Sequence, residues 1–336
     1  MTVTIEAVHG PEYAREIKDL FLAHDRPEFP DFFDRTYPPA FANGATSWLG
    51  RDADGRLVMH IACLPRRYRF AGSEVVAGLL ANLIVAPAYR SFFPGLALVN
   101  RLVRDSQARG LIDFLYADPN EGSRTLVRGT RFVRVGTLRR YVLPVRDRRR
   151  YVDLGLRLFH GLVRAANGAP RRGKVVSHPA AGFAADTFGV PPERSPRLAP
   201  YHDRALYLSR LKDYPAEQDW WLTWDGNGTA RSPRAAVLVR GPDASGLAAL
   251  HALRGAPGVA LASFLPGLIA ELRRRGCERL QVTTVAESAL GRALRRGGFV
   301  PRNDTAPLVA LPLTPLGEEC VRSVKDWEIT DLDCDR

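Results

Sequence analysis

Two stretches of the chain repeat one another at a nearly constant distance. Arg90 precedes the run Pro94-Gly95-Leu96-Ala97-Leu98, and Arg254 precedes Pro257-Gly258-Val259-Ala260-Leu261. Each run opens an apolar pattern of helical spacing that stops at a glycine, Gly110 or Gly276. An apolar strand pattern follows each glycine, "LIDFLYA" or "CERLQVTTV", and a short helical stretch then leads to Phe132 or Phe299. The offsets are 163, 166 and 167 residues. One matching pentapeptide is a common accident, but four features in one order at a steady offset specify two copies of one folding unit. A length of 336 residues suits two domains. Between the copies, "RDRRRYVDLGLRLFHGLVRAANGAPRRGK" carries an amphipathic helix pattern, with Asp153, Arg157, His160 and Arg164 on one face, and then a breaker, "NGAPRRGK". The expected division is a first domain at 1–145, a connecting helix and linker at 146–174, and a second domain at 175–336.

The first copy reads as a mixed sequence of elements. Residues 2–9 alternate as a strand, and a helix starts near Pro11. The Pro- and Phe-rich stretch 27–41 reads as an ordered loop over an apolar surface. Three antiparallel strands follow, turning at Asp54-Gly55 and at Ala71-Gly72. A helix over 95–109 ends at Gly110, "LIDFLYA" is a buried strand, and a short helix covers about 120–130. "FVRVGTLRRYVLPV" reads as a hairpin-like pair of strands. Such a meander excludes a purely parallel α/β sheet. Only the strand–helix–strand step through 83–116 demands a parallel neighbour.

Hydrophobic residues at 46% and charged residues at 25% fit a globular chain able to bury large cores. No apolar run is long enough for a membrane-spanning helix, and the N-terminus reads as lacking a signal peptide, which points to the cytoplasm. Cys63, Cys277, Cys320 and Cys334 are scattered without a CxxC pair, and the histidines lack ligand spacing, so no metal is expected. Walker, dinucleotide-fingerprint, HExxH and GxSxG motifs are absent. Trp220, Trp221 and Trp224 read as strand or core residues. A net charge of +12 favours anionic partners: nucleotide phosphates, an acidic carrier protein, nucleic acid or lipid headgroups.

The Pro-Gly turn is chemically suited to an anion. A helix start exposes unpaired N–H groups and a partial positive charge, glycine allows close approach, and Arg90 adds a full charge. Together with the element order, "V-A-P-x-Y-R…G-x-A" and "P-N…G-x-x-F" make residues 1–145 resemble the GNAT (N-acetyltransferase) superfamily, with a weaker second likeness over 175–313. The resemblance implies an α+β architecture of two tandem GNAT-like folds, each a mostly antiparallel sheet flanked by helices and splayed between its fourth and fifth strands. It implies acetyl-CoA or another acyl-CoA as donor substrate. Leu83, Ile84, Val85 and Ala86 would form the strand edge facing the pantetheine arm, and a backbone N–H there would meet the thioester oxygen. Arg90, Phe93, Pro94, Gly95, Leu96 and Ala97 would form the pyrophosphate loop, with Asn120 as a further cofactor contact. The chain departs from the family pattern at Phe92, which holds the place of the loop's usual Gln or Arg. It departs again at Val127 and Leu294, where many relatives carry a tyrosine that protonates the leaving thiolate.

Acyl transfer to an amine needs a bound thioester, a neutral amine and donors to the carbonyl oxygen. Asp118 and Glu121 flank Pro119-Asn120 and are the candidate bases. Capping of the next helix by Asp118 and first-turn placement of Glu121 are their plainer roles. His60 and Tyr116 are further strand candidates for which a structural role weighs more, and Cys63 as a covalent nucleophile lacks any sequence partner. The expected function is an acyl-CoA-dependent N-acyltransferase acting on a small-molecule amine or amino sugar. The alternatives are a related enzyme whose donor is an acyl carrier protein or aminoacyl-tRNA, other nucleic acid being disfavoured, and a non-catalytic pseudo-acyltransferase that only binds.

Overall fold

The computed structural model describes residues 3–147, 149–166, 175–179, 198–200, 219–224, 235–255 and 259–330. The linker "NGAPRRGK", the pair Pro257-Gly258 and Cys334 lie outside the described residues. Two compact units interleave along the chain instead of dividing once near residue 145. The first comprises 1–135, 200–212 and 307–323, and the second comprises 136–199, 213–306 and 324–336.

In the first unit, β1 (Thr4–Val8), β2 (Thr46–Arg51), β3 (Leu57–Phe70) and β4 (Ser73–Val85) pair antiparallel in that order. The β3–β4 turn uses left-handed backbone at Ala71 (φ 51°) and Gly72 (φ 90°), the twist a two-residue hairpin needs. Two helices, α1 (Ala14–Leu22) and α2 (Phe29–Ala42), connect β1 to β2. The stretch expected as a loop is therefore mostly helix. Phe29, Phe33 and Tyr37 recur every fourth residue and form one buried face, with Phe33 stacked on Tyr37 at 4.3 Å and Phe21 of α1 stacked on Phe29 at 3.5 Å. Pro30 falls in the first turn, where no N–H is needed, and burial of the aromatic face outweighs the bonds lost at Pro38 and Pro39.

α3 (Phe92–Arg109) starts three residues before the expected position, so Pro94-Gly95 belongs to its first turn and does not precede the helix. It ends as expected at Gly110, in the left-handed conformation (φ 63°). β5 (Phe114–Ala117) then pairs parallel to β4, and α4 (Glu121–Arg128) follows. The far side of β5 is covered by a segment from near the chain's end. Val309–Pro312 of β13 (Val300–Pro312) pair antiparallel to β5, and α8 (Pro315–Arg322) comes after them. Asp113 holds this arrangement. Its carboxylate accepts from the Val76 N–H at 2.8 Å and from the Thr314 hydroxyl at 2.9 Å, and its carbonyl accepts from the Leu313 N–H at 2.8 Å.

"FVRVGTLRRYVLPV" forms one strand, β6 (Val133–Pro144), and not a hairpin. Leu138, Tyr141 and Leu143 are buried, and 138–144 pair antiparallel to β12 (Arg279–Val285). Gly136 makes no turn: a Cβ there would lie 3.2 Å from Val285, so the glycine serves close packing. In the second unit the strand order is β6-β12-β11-β10-β9-β7, from β7 (Val175–Pro179), β9 (Asp219–Trp224), β10 (Ala235–Arg240) and β11 (Leu247–Gly255). Trp220, Trp221 and Trp224 all lie on β9, and a two-residue β8 (Ala199–Pro200) precedes it. β11 and β12 are parallel and joined through α6 (Val259–Arg274), while α7 (Ala289–Arg296) leads to β13. α6 supplies Leu265, Leu268 and Leu272 to a core that includes Val237, Leu250 and Val282. The second unit thus repeats the antiparallel-then-parallel order of the first. The repeat does not extend to the arginine: Arg254 is inside β11, whereas Arg90 lies beyond β4. α5 (Arg150–Ala166) is amphipathic as expected, with Asp153 bonded to Arg157 at 2.9 Å and His160 Nε2 bonded to the Pro144 carbonyl at 2.9 Å.

Asp113→Ala leaves the Val76 N–H and the Thr314 hydroxyl without their acceptor. The expected cost is about 2 kcal/mol, read as a lower urea midpoint with an unchanged slope.

Candidate functional site

The parallel pairing of β4 with β5 is short. Ala77–Leu79 match Phe114–Tyr116, and beyond them β4 continues to Val85 while β5 ends at Ala117. The last part of β4 therefore has an open edge toward β5. A bulge accompanies this opening. The β3–β4 register passes from Ala62 opposite Ala81 to His60 opposite Ile84, which places two residues of β4, Asn82 and Leu83, across from Ile61. Asn82 takes the left-handed conformation (φ 55°), which asparagine tolerates better than most side chains.

His60 fixes the bulge. Its Nδ1–H donates to the Asn82 carbonyl at 3.0 Å, which leaves Nε2 to accept the Ser47 hydroxyl at 3.2 Å. Burial lowers the ring's pKa to about 4, so it is neutral near pH 7. The Asn82 amide donates to the Tyr37 hydroxyl at 3.0 Å, tying the bulge to the aromatic face of α2. With both nitrogens engaged and no solvent access, His60 positions backbone and is not a surface base. Tyr116 is likewise buried, its hydroxyl 3.0 Å from that of Tyr68. Cys63 is buried and its thiol is pushed up to about 12 by desolvation, so it stays protonated.

Beyond the bulge, the Ala86 N–H bonds back to Val58 of β3 at 2.8 Å. Polar groups alternate along an antiparallel strand, so those of Val85 face the open edge. Arg90 confirms this direction, because its Nε donates to the Val85 carbonyl at 3.0 Å. The Val85 N–H is left aimed at the gap, beside half-buried Leu83 and buried Ile84. Arg90 also links the end of β4 to the start of α3. There the N-cap residue Ser91 is extended, and its hydroxyl makes no capping bond. The Ser91 side chain thus leaves the start of α3, with its partial positive charge, uncapped.

The expected loop residues separate into two places. Phe93, Pro94, Gly95 and Leu96 lie in the opening turn of α3, with Phe93 77% exposed and Gly95 buried. Ala97, on the next turn, lines a cavity of about 750 Å³ with Asn100, Arg101, Arg104 and Arg131. Asn120 caps α4: its side-chain oxygen accepts from the Ser123 N–H at 3.0 Å and from the Ser123 hydroxyl at 3.1 Å. Asp118 is half-buried one residue past β5, and Glu121 is exposed as the first residue of α4. Sequence reasoning missed Asn82, Tyr37 and Ser47. The only local signal was an asparagine inside an apolar strand.

Among the described residues no group of three or more His, Cys, Asp or Glu could hold a metal ion, and no helix is long and apolar enough to cross a membrane. No protein-family model matches the chain, and no curated protein matches it in sequence. Solved structures do match it. A GCN5-related N-acetyltransferase from Anabaena variabilis aligns with TM-score 0.64 at 11% identity, over 94% of this chain and 74% of that one. A conserved protein of unknown function from Enterococcus faecalis, described as a probable N-acyltransferase, aligns with TM-score 0.63 at 12% identity, over 93% and 73%. A tandem GNAT protein from the clavulanic acid biosynthesis pathway aligns with TM-score 0.54 at 14% identity, over 94% of this chain and 99% of that one. These likenesses show a mixed α/β chain with the GNAT fold.

The neutral, buried His60 makes stability depend on pH. Its folded pKa lies below the usual 6.5, so stability is full above pH 6.5 and falls as pH drops toward 4. The loss from this residue is roughly 3 kcal/mol. His60→Gln should flatten the fall of unfolding free energy between pH 6.5 and 4, measured by denaturant titration at stepped pH.

Proposed function

We propose that this chain of GNAT fold is an acyl-CoA-dependent N-acyltransferase whose donor is held in the first unit. The observation that carries the reading is the conjunction at the end of β4: an open strand edge with the Val85 N–H aimed into it, joined through Arg90 to a helix start without a side-chain cap. The thioester carbonyl accepts from the Val85 N–H as negative charge develops on its oxygen. The pyrophosphate lies at the first turn of α3, and the terminal nitrogens of Arg90 remain available to it. Asp118 is the proposed base, because it directly follows the last residue of β5 and is half-buried. Glu121 favours the α4 dipole, and Asn120 holds the α4 start in place. The acceptor is a small amine or amino sugar, and the setting is the cytoplasm. The neighbours named as a GCN5-related N-acetyltransferase and a probable N-acyltransferase support transfer chemistry as the class.

A carrier-bound donor is the second reading, favoured by one surface. On α5, Tyr151, Leu154, Leu158 and Leu162 are exposed on a helix that also presents Arg150 and Arg157, a combination suited to an acidic protein partner. Steeply salt-dependent binding of acyl carrier protein, or of tRNA, without binding of CoA would select this reading over the first. Binding of acyl-CoA without turnover on any amine would leave the pseudo-acyltransferase.

Ser91→Asp keeps a good N-cap residue but places a negative charge where the pyrophosphate belongs. The ligand-free melting temperature should hold, while affinity for acetyl-CoA falls about tenfold or more, read by thermal shift and calorimetry. Retained affinity would overturn the phosphate assignment. Asp118→Asn should lower kcat by roughly 100- to 10,000-fold with little change in donor affinity, measured in an amine screen with acetyl-CoA.

A further inference from the structure

The second unit opens in the same way as the first. β11 pairs with β12 only at Leu247–Ala249 and Arg279–Gln281, and β11 then runs on to Gly255. The β10–β11 register passes from Val239 opposite Leu250 to Leu238 opposite Ala252, so His251 is a bulge residue. It occupies the place that Asn82 has on β4. A bulge carbonyl is off the ladder and needs a partner. In the first unit that partner is His60 from the neighbouring strand. In the second unit it comes from the chain's C-terminal segment: the Thr330 hydroxyl donates to the His251 carbonyl at 2.6 Å.

The same segment is bound from the other side of the opening. Thr284 of β12 donates its hydroxyl to the Ile329 carbonyl at 2.6 Å. Leu198 brackets the segment's start, giving its N–H to the Asp326 carbonyl at 3.1 Å and accepting from the Glu328 N–H at 3.0 Å. Trp327 and Ile329 are 0% exposed and Thr330 is 3% exposed. Adjacent residues thus contact both strands that border the gap, and their side chains are withdrawn from solvent.

We infer that Trp327–Thr330 is a strap closing the second unit's cleft, so that the chain carries one donor site and not two. This rests on the reading of the first unit as the donor site. The chemistry of the competition is direct. A pantetheine arm offers two amides and a thin aliphatic chain to a strand edge. A peptide strap offers amides of the same kind, and with them a buried tryptophan and isoleucine that an incoming ligand would have to displace. The duplicated fold thereby keeps its opening in one copy and fills it with its own chain in the other.

The test uses the whole chain and the double variant Thr284→Val/Thr330→Val, which removes the two hydroxyl bonds that hold the strap to the gap at nearly constant shape and leaves its backbone bonds to Leu198, followed by a chain ending at Asp326. Hydrogen exchange read by mass spectrometry needs no ligand. Peptides covering 249–255 and 326–330 should be protected in the wild type and exchange about tenfold faster or more in the double variant, while 77–85 in the first unit are unchanged. Equal protection in both proteins, or a wild-type 326–330 segment that exchanges at once, would overturn the strap. Native mass spectrometry with acetyl-CoA should then count one bound donor on the wild type and a second on the truncated chain. Two on the wild type would also overturn it. No binding to either protein would instead remove the donor reading of the first unit, with the strap judged by exchange alone.

Discussion

The three-residue match between β4 and β5 is the constraint on which the first unit's proposed donor site depends. Had the pairing continued, Val85 would have spent its N–H on the sheet. Two local features stop it. The bulge at Asn82 turns β4 after Ala81, and β5 ends at Ala117, ahead of Pro119 and the α4 cap at Asn120. The bulge would not persist on backbone preference alone, because a left-handed asparagine within a strand is unfavourable. His60 and Tyr37 compensate from opposite directions, one bonding the Asn82 carbonyl and the other its amide. The buried, neutral imidazole is therefore part of the scaffold that opens the gap.

The same bulge in the second unit is satisfied differently, and the difference separates two structural duties of one fold. Where the bulge carbonyl is held by a neighbouring strand, the gap stays open. Where it is held by residue 330, the neighbouring space is taken by the chain itself. A duplicated fold can in this way keep its packing while only one copy retains room for a ligand.

Residues 307–330 complete both units. In the first, Val309–Pro312 supply the strand beside β5, and Thr314 reaches Asp113 across 201 positions of sequence. In the second, 326–330 supply the segment between β11 and Thr284. Contacts of such long sequence separation close late, after the loop entropy has been overcome. Leu311 from this segment belongs to the first unit's core.

Much of the architecture was legible in local sequence. The meander through Asp54-Gly55 and Ala71-Gly72, the helix ending at Gly110, and the parallel step into "LIDFLYA" follow from periodicity and turn chemistry, which act between neighbours along the chain. The repeat of Gly110 and Phe132 at Gly276 and Phe299 falls where the second unit makes its own parallel step, from β11 through α6 to β12. α2 was not legible, because prolines argue for a loop until aromatic burial is counted, and β6 was misread because Gly136 suggests a turn until its packing partners are known. The candidate site divided along the same line. Arg90 and the start of α3 could be located by residue type, but Asn82, the direction of the Val85 N–H and the Thr330 strap could not. Sequence determines which groups are present and the local conformations they favour; which strand edge stays unpaired is decided only when distant segments compete for the same hydrogen bonds.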